Sequence, residues 1–348
     1  MCGIAGIFLL DGGTVDPGLL ARMSDRIRHR GPDGSGTFID GPVGLAHRRL
    51  AIIDLSDAAK QPMANEDGTL RLVYNGEIYN YPELMEELVA KGHRFHSRSD
   101  AEVILHAYEE WGRDCLARFT GMWAFALWDS RKGELFCARD RFGIKPFYYT
   151  RVGDMVLFAS EIKALLAHPG VGTRPYDPLL MTFLAWGVLD HTGGTMFEGV
   201  QQLRPSHRIT FGLKGGEATP ERYWDLAMNP LPGRPSPVED ERAAGALRDL
   251  LTDAVRIHLR SDVPVGTCLS GGIDSSSLAM LINGLIRAEH PRSIGDRQKT
   301  FSIVFPDPRF NEELFIDELV AAAGLEAGKT TFGPEDVLRD IPRLIAVQ

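Results

Sequence analysis

The chain opens Met1-Cys2-Gly3-Ile4-Ala5-Gly6-Ile7, and the apolar run continues through Phe8-Leu9-Leu10. This reads as a buried first strand with a cysteine at its head. Removal of Met1 leaves one residue carrying both a thiol and a free α-amino group. The thiolate is the nucleophile, and a thiol of pKa about 8.5 is mostly protonated at neutral pH. An α-amino group, with a pKa of about 7.7–8.0, can act as the neighbouring base. The plainer reading is a small buried cysteine, which is how most free cysteines are used. The rest of the chain favours the nucleophile.

The 348 residues exceed one ordinary core, so two domains are expected. A hydrophobic share of 44% and a charged share of 24% are those of a globular protein. The four cysteines, Cys2, Cys115, Cys137 and Cys268, form no C-x-x-C pair, which suggests neither a zinc site nor a disulfide framework. A reducing cytoplasm is the expected location. No signal-peptide pattern and no apolar run of about 20 residues are present, so a membrane partner is not expected. With net charge −9 and no basic cluster, nucleic acid is not expected as a partner either. The scattered histidines and the absence of H-E-x-x-H give no reason to expect a protein-bound metal.

Short apolar strands are expected at Gly3–Leu10, Val43–Ala46, Leu70–Tyr74, Trp123–Trp128, Leu135–Ala138, Pro146–Tyr149 and Val156–Ala159. The Leu70 strand should end at Asn75-Gly76. Between the strands, Leu84, Leu88 and Val89 share one helical face, as do Val103, Ile104, Ala107, Tyr108 and Trp111. Many strands and few long helices imply packed antiparallel sheets between helix layers, an α+β domain. This domain is expected over 1–212. Leu213–Pro237, with several Gly and Pro residues, reads as a linker. Over 238–348 the pattern changes to α/β. Leu247, Leu250, Leu251, Ala254 and His258 mark a helical face, Val263–Leu269 a strand, and Leu278, Leu281, Ile282 and Leu285 a helix. Phe301–Phe305 then reads as a strand and Glu312–Ala323 as a helix. Alternation of this kind implies a parallel sheet.

Between that first strand and its helix lies Ser270-Gly271-Gly272-Ile273-Asp274-Ser275-Ser276. Glycines let a backbone approach a ligand closely, and a helix N-terminus offers unpaired N–H groups to an anion. Three serines add hydroxyl donors. The lysine of the Walker form is missing, which disfavours kinase or GTPase chemistry. A plain turn with serine caps is the weaker reading in this strand–loop–helix setting.

Cys2-Gly3-Ile4, His29-Arg30-Gly31-Pro32-Asp33, His47-Arg48-Arg49-Leu50, Asn75-Gly76-Glu77-Ile78-Tyr79-Asn80 and Arg139-Asp140-Arg141-Phe142-Gly143 resemble the glutaminase domain of class II glutamine amidotransferases, which is of the N-terminal nucleophile type. With Ser270–Ser276 the resemblance narrows to the glutamine-hydrolysing asparagine synthetases and covers nearly the whole chain. The β-lactam synthetases share the two-domain plan but lack the cysteine nucleophile.

The resemblance implies that Cys2 attacks the side-chain amide of glutamine, forming a glutamyl thioester. Its own α-amino group moves the proton. Asn75 and the backbone N–H of Gly76 would form the oxyanion hole; donors of this kind are worth about 10²–10³ in rate. Asn-Gly is also a strong hairpin signal, and both readings can hold. Arg49 would pair with the α-carboxylate, for which a guanidinium fork is suited. Its neighbour Arg48 reads as a solvated surface residue. Glu77 and Asp100 would hold the α-ammonium, with a helix N-cap as the alternative for Asp100. Leu50, Ala51, Ile52 and Ile53 would line the pocket. His29 and His47 read as structural. In the second domain the Ser270–Ser276 loop (Ser270, Gly271, Gly272, Ile273, Asp274, Ser275, Ser276) would bind the pyrophosphate of ATP. Mg²⁺ would arrive with the nucleotide near Asp274, and Cys268 and Ile303 would contact the nucleotide through their backbones. The implied reaction makes aspartyl-AMP from aspartate and ATP, and glutamine-derived ammonia, carried through an internal tunnel, converts it to asparagine. Relatives are often homodimers.

The sequence departs from this family in length. The family's synthetase domain runs beyond residue 348, and the segments that complete its ATP and aspartate sites are not in this sequence. The expectation is a chain that hydrolyses glutamine but does not make asparagine efficiently. Two other readings stay open: an amidotransferase of the same plan with a different carboxylate acceptor, and a non-catalytic glutamine or nucleotide sensor.

Overall fold

A computed structural model describes residues 1–213, 218–228, 236–291 and 293–347. Contacts divide the chain into two compact units, Met1–Ala227 and Met228–Gln348.

In the first unit the chain runs β1 (Gly3–Leu9), α1 (Pro17–Arg26), β2 (Gly34–Asp40), β3 (Val43–Arg49), β4 (Met63–Ala64) and β5 (Leu70–Ile78). It continues through α2 (Tyr81–Ala90), α3 (Asp100–Trp111), β6 (Gly121–Asp129), β7 (Glu134–Arg139), β8 (Tyr148–Val152) and β9 (Met155–Ala159). The unit closes with α4 (Ile162–Leu165), α5 (Asp177–Trp186), β10 (Gln201–Gln202), β11 (His207–Gly212) and β12 (Glu221–Arg222). Among the described residues these strands form two six-stranded antiparallel sheets, ordered β10-β8-β9-β1-β3-β2 and β12-β11-β7-β6-β5-β4.

The period of two along each strand assigns its two faces. Ile4 and Phe8 of β1 pack with Val73, Ala124, Ala126 and Trp128 in the core between the sheets. Ala5 and Ile7 pack with Leu19, Leu20 and Met23 of α1. On the far side of the second sheet, Tyr74, Phe125 and Phe136 pack with Leu84 of α2 and with Val103 and Ile104 of α3. The result is helix, sheet, sheet, helix, because each sheet is apolar on both faces.

α3 carries an ion-paired group in its buried face. His106 is 1% exposed; its Nδ1 is 2.9 Å from Glu109 Oε2 and its Nε2 is 3.7 Å from Glu102 Oε1. Burial alone would lower the imidazole pKa, but bonds to these two carboxylates raise it to about 9. Burial likewise opposes ionisation of Glu102. Its bonds to His106, Ser97 and the His96 N–H outweigh that and bring it down to about 2.

The second unit runs α6 (Pro237–His258), β13 (Gly266–Cys268), α7 (Ile273–Glu289), β14 (Lys299–Val304), α8 (Glu313–Ala323), β15 (Glu326–Thr331) and α9 (Pro334–Val347). The three strands form a parallel sheet in the order β13-β14-β15. Ser236 and Glu239 make a reciprocal capping box that starts α6. Among the described residues no helix is long and apolar enough to cross a membrane.

Several expectations need correction. β5 does not turn at Asn75-Gly76 but runs on to Ile78, with Asn75 opposite Ala124 and Gly76 opposite Trp123 of β6. The pairing with a nine-residue partner strand overrides the local turn preference. Val89 is 53% exposed, so α2 buries only Leu84 and Leu88. On α6, Leu247, Leu250 and Leu251 are exposed and only Val255 is buried. Leu278 of α7 is exposed too. Pro146 and Phe147 precede β8, since the proline N carries no hydrogen for a ladder. Of the stretch read as a linker, 214–217 and 229–235 lie outside the described residues. Within the remainder, Glu221–Arg222 pairs with β11, and Tyr223 Oη donates to Arg139 O at 2.7 Å.

Candidate active site

The faces of β1 and β5 decide where the site falls. Cys2 precedes β1 and shares the parity of Ile4 and Phe8, the residues that face the second sheet. On β5, Asn75 and Glu77 share the parity of Val73, which faces the first. Cys2, Asn75 and Glu77 therefore meet at one end of the slot between the sheets. Arg49 at the end of β3 and the loop Leu50-Ala51-Ile52-Ile53 form a second wall, and Asp100 at the start of α3 a third. One cavity is lined by Cys2, Arg49, Leu50, Ala51, Ile52, Ile53, Asn75, Gly76, Glu77 and Asp100. These are all the first-unit residues that the sequence nominated.

Cys2 Sγ accepts a hydrogen bond from Leu50 N at 3.3 Å and lies 3.5 Å from Leu50 O. Arg30 Nε donates to Cys2 O at 2.8 Å, and Glu161 Oε1 takes Arg30 Nη1 at 2.9 Å. Burial pushes the thiol pKa up; the Leu50 N–H, the amino terminus and Lys145 pull it back. With Met1 in place the nitrogen of Cys2 is an amide, so an amine at this position requires that Met1 be removed.

Asn75 is 1% exposed, yet its Nδ2 and Oδ1 have no hydrogen-bond partner among the described residues. A buried polar group left unpaired costs about 1–3 kcal/mol, and such a group is uncommon without a purpose. Gly76 is fixed by the ladder: a Cβ there would lie 2.3 Å from Met122 O and 2.7 Å from Trp123 Cα.

Arg49 is braced through its guanidinium by Ser56 O at 2.8 Å and by Asp54 O. Arg48, read as solvated, points instead into α1. Its Nε donates to Ser24 Oγ at 2.9 Å and its Nη2 to Asp25 at 2.5 Å, because successive strand residues face opposite ways. Asp100 is not the N-cap of α3. Ser99 caps it, its Oγ accepting from Ala101 N at 3.2 Å. The Asp100 carboxylate accepts instead from Tyr74 Oη at 2.7 Å and Ile78 N at 2.9 Å. Burial raises its pKa to about 6, with Glu77 adding to the effect against those two bonds. Burial also raises Glu77, while Lys145 and the amino terminus lower it. His47 is buried against Tyr74 O at 3.1 Å; burial lowers it to about 4, so it is neutral at pH 7. His29 bonds to Glu161 at 3.0 Å.

Sequence reasoning missed Met1, Ala59, Gln61, Tyr74, Ser99 and Lys145 in the cavity wall. Gln61 Oε1 accepts from Tyr74 N at 2.7 Å and so braces β5 beside Asn75. Lys145 lies just past the Arg139–Gly143 motif, and that proximity was the available signal.

In the second unit Ser270–Ser276 joins β13 to α7. Gly271 has φ +84°, and a Cβ there would come within 3.0 Å of Phe315 Cβ on α8. Gly272 is the N-cap of α7 and offers no side-chain cap. Ser270 Oγ and Ser275 Oγ lie 3.0 Å apart, and Ser270 N donates to Ser275 Oγ at 3.3 Å. Asp274 falls in the first turn of α7. Cys268 and Ile303 are exposed on β13 and β14. A glycine loop with uncapped N–H groups and two hydroxyls at the head of a 17-residue helix suits an anionic ligand.

The family model for a glutamine amidotransferase domain matches residues 1–224, and that for asparagine synthase matches residues 246–348. "Asparagine synthetase [glutamine-hydrolyzing] 3" of Bacillus subtilis (strain 168) is 36% identical over 358 residues, covering 100% of this chain and 57% of that protein. "Asparagine synthetase [glutamine-hydrolyzing] 1" of the same organism is 36% identical over 348 residues, covering 99% of this chain and 52% of that protein. The chain thus spans a little over half the length of these curated relatives. Among solved structures, a glutamine phosphoribosylpyrophosphate amidotransferase from B. subtilis superposes with a TM-score of 0.50 at 16% identity, covering 98% of this chain and 93% of that one. The chain belongs to the glutamine amidotransferase family, and residues 246–348 of its second unit match the asparagine synthase model.

Proposed function

We propose that the first unit hydrolyses the side-chain amide of glutamine and that the ammonia serves ATP-dependent synthesis of asparagine. The observation that carries the first half is the buried, unpartnered Asn75 amide in the same cavity as the Cys2 sulfur. After Met1 is removed, the Cys2 amine takes the thiol proton and Sγ attacks the amide carbon. The oxyanion that forms is received by Asn75 Nδ2 and the Gly76 N–H. The ammonium of Cys2 then protonates the leaving nitrogen, and ammonia departs. Water attacks the thioester, the thiol is restored, and glutamate leaves. Arg49 pairs with the α-carboxylate, and Glu77 and Asp100 with the α-ammonium.

For the second half, the Ser270–Ser276 loop would hold the pyrophosphate of ATP through the N–H groups of α7 and the hydroxyls of Ser270 and Ser275. Mg²⁺ beside Asp274 would neutralise the phosphates, and ATP supplies activation of the aspartate carboxylate. The names of the asparagine synthetase relatives support this acceptor.

The test is product analysis by mass spectrometry of the purified protein given glutamine, aspartate and Mg-ATP. Cys2→Ala serves as control. Glutamate from the wild type alone supports the first half, and its absence overturns it. Aspartate-dependent AMP together with asparagine supports the second half. Glutamate formed without aspartate-dependent AMP confines the activity of these residues to the first unit.

A further inference from the structure

Lys145 is a buried cation in the cavity wall to which the glutaminase chemistry above gives no role. The residue is 4% exposed. Its backbone is held from both sides: its N–H donates to Asp140 Oδ2 at 3.0 Å, and its carbonyl accepts from Arg139 Nε at 2.7 Å. Asp140, itself fully buried, also takes the N–H groups of Trp123, Phe142 and Ile144. Two residues on, Phe147 is fully buried and stacks on Phe158. The stem of Lys145 is thereby fixed, and its side chain lines the cavity with Cys2 and Glu77. The ammonium has no hydrogen bond to any described residue. Burying a cation is unfavourable, and the groups that favour its charge, Glu77 and Cys2, point to the reason it is kept.

The charges around the sulfur suggest that reason. Near Cys2 stand the amino terminus, the Leu50 N–H, Asp100 and Lys145, with Tyr74 behind Asp100. Near Lys145 stand Glu77, Cys2, Arg30 and Asp140. Asp100 disfavours a thiolate and Lys145 favours one. We propose that Lys145 is a positioning residue for the glutaminase reaction, its ammonium stabilising negative charge on the Cys2 sulfur. The inference rests on the glutaminase reading. Burial lowers the Lys145 pKa while Glu77 and Cys2 raise it, and in the proposed step the thiol proton goes to the Cys2 amine, with the lysine acting by charge alone. It favours the thiolate before attack and again when the thioester breaks and the sulfur leaves.

The plainer role, a structural counter-charge for Glu77, makes a different prediction. The experiment is the pH dependence of Cys2 alkylation by iodoacetamide, read on the Cys2 peptide by mass spectrometry. It uses the full chain with Met1 removed, as wild type, Lys145→Met and Lys145→Arg. Lys145→Met should move the alkylation midpoint up by about one pH unit. It should lower kcat/KM for glutamine about tenfold at pH 7, with the loss shrinking at higher pH, while Lys145→Arg keeps the wild-type midpoint. Coincident midpoints for wild type and Lys145→Met, or a loss of kcat/KM that is the same at every pH, would overturn the proposal. Should Lys145→Met unfold, Lys145→Gln carries the same comparison. A wild type that is alkylated normally but hydrolyses no glutamine removes the glutaminase reading, and the midpoint comparison still decides the effect of Lys145 on the sulfur.

Discussion

The hydroxyl of Tyr74, on β5, donates to the carboxylate of Asp100, the first residue of α3, at 2.7 Å. This bond ties the strand that carries Asn75 to the helix that carries a carboxylate proposed to bind the substrate ammonium, and both residues are buried. It also bears on pH. Burial holds the Asp100 pKa near 6, above its ordinary value, so the carboxylate gains a proton as pH falls through about 6. If ionised Asp100 holds the α-ammonium, kcat/KM for glutamine falls below that pH. A kcat/KM profile between pH 5 and 8 checks this. Asp100→Asn should raise KM at least tenfold and remove the acid limb.

Arg49 is braced from behind by two carbonyls, so its fork is aimed rather than free. Arg49→Lys keeps the charge but loses the planar pair of donors. We expect KM for glutamine to rise by about 10–100-fold, with kcat changed much less, in steady-state glutaminase assays. An equal fall in kcat would mean that Arg49 also acts in the transition state.

Gly76→Ala places a methyl group against Met122 O and Trp123 Cα at distances no packing tolerates. The two strands would have to part. We expect a loss of about 3 kcal/mol or more, read as a lower midpoint in urea unfolding, and loss of glutaminase activity. Ordinary stability with activity lost would place Gly76 in chemistry alone.

His106 ties folding to pH. Its folded-state pKa of about 9 lies above the unfolded value of 6.5. Its contribution is therefore fully present below pH 6.5 and is lost as pH rises through 9. His106→Gln should cost about 3 kcal/mol at pH 6. The difference from wild type should narrow steadily up to pH 9.5 in denaturant titrations. A constant difference across that range would show that the imidazole is not charged in the folded protein.

The residues legible in the sequence were those whose chemistry is local. Cys2 announces itself by its place in the chain, and Arg49 stands apart from Arg48 once the strand alternation between them is known. The alternating apolar runs disclosed both sheets because each strand meets cores on two sides. Asn75-Gly76 was harder: its local preference is a turn, and only the long pairing with β6 keeps it extended. Asp100 offered two roles, and the cap went to Ser99 by one residue. Gln61 had no local mark, and Lys145 only its place just past the Arg139–Gly143 motif, because what brings both to the cavity is the packing of distant loops. On α6 the heptad-like leucines suggested a buried face, yet in the second unit only Val255 of that helix is covered.

β1 lies inside its sheet, between β3 and β9. Its neighbour β3 is synthesised soon after it, but Met155–Ala159 come more than a hundred residues later. At about 5–20 residues per second, the ribosome takes on the order of 10–30 s to reach Ala159. During that interval the head of the chain has left the ribosome while the sheet that will bury it is unfinished. An enzyme that removes Met1, as the proposed function requires, would therefore have access for several seconds. The finished fold leaves Cys2 half-buried in a cavity wall, so an oxidant meets the sulfur more freely on the nascent chain than on the folded one.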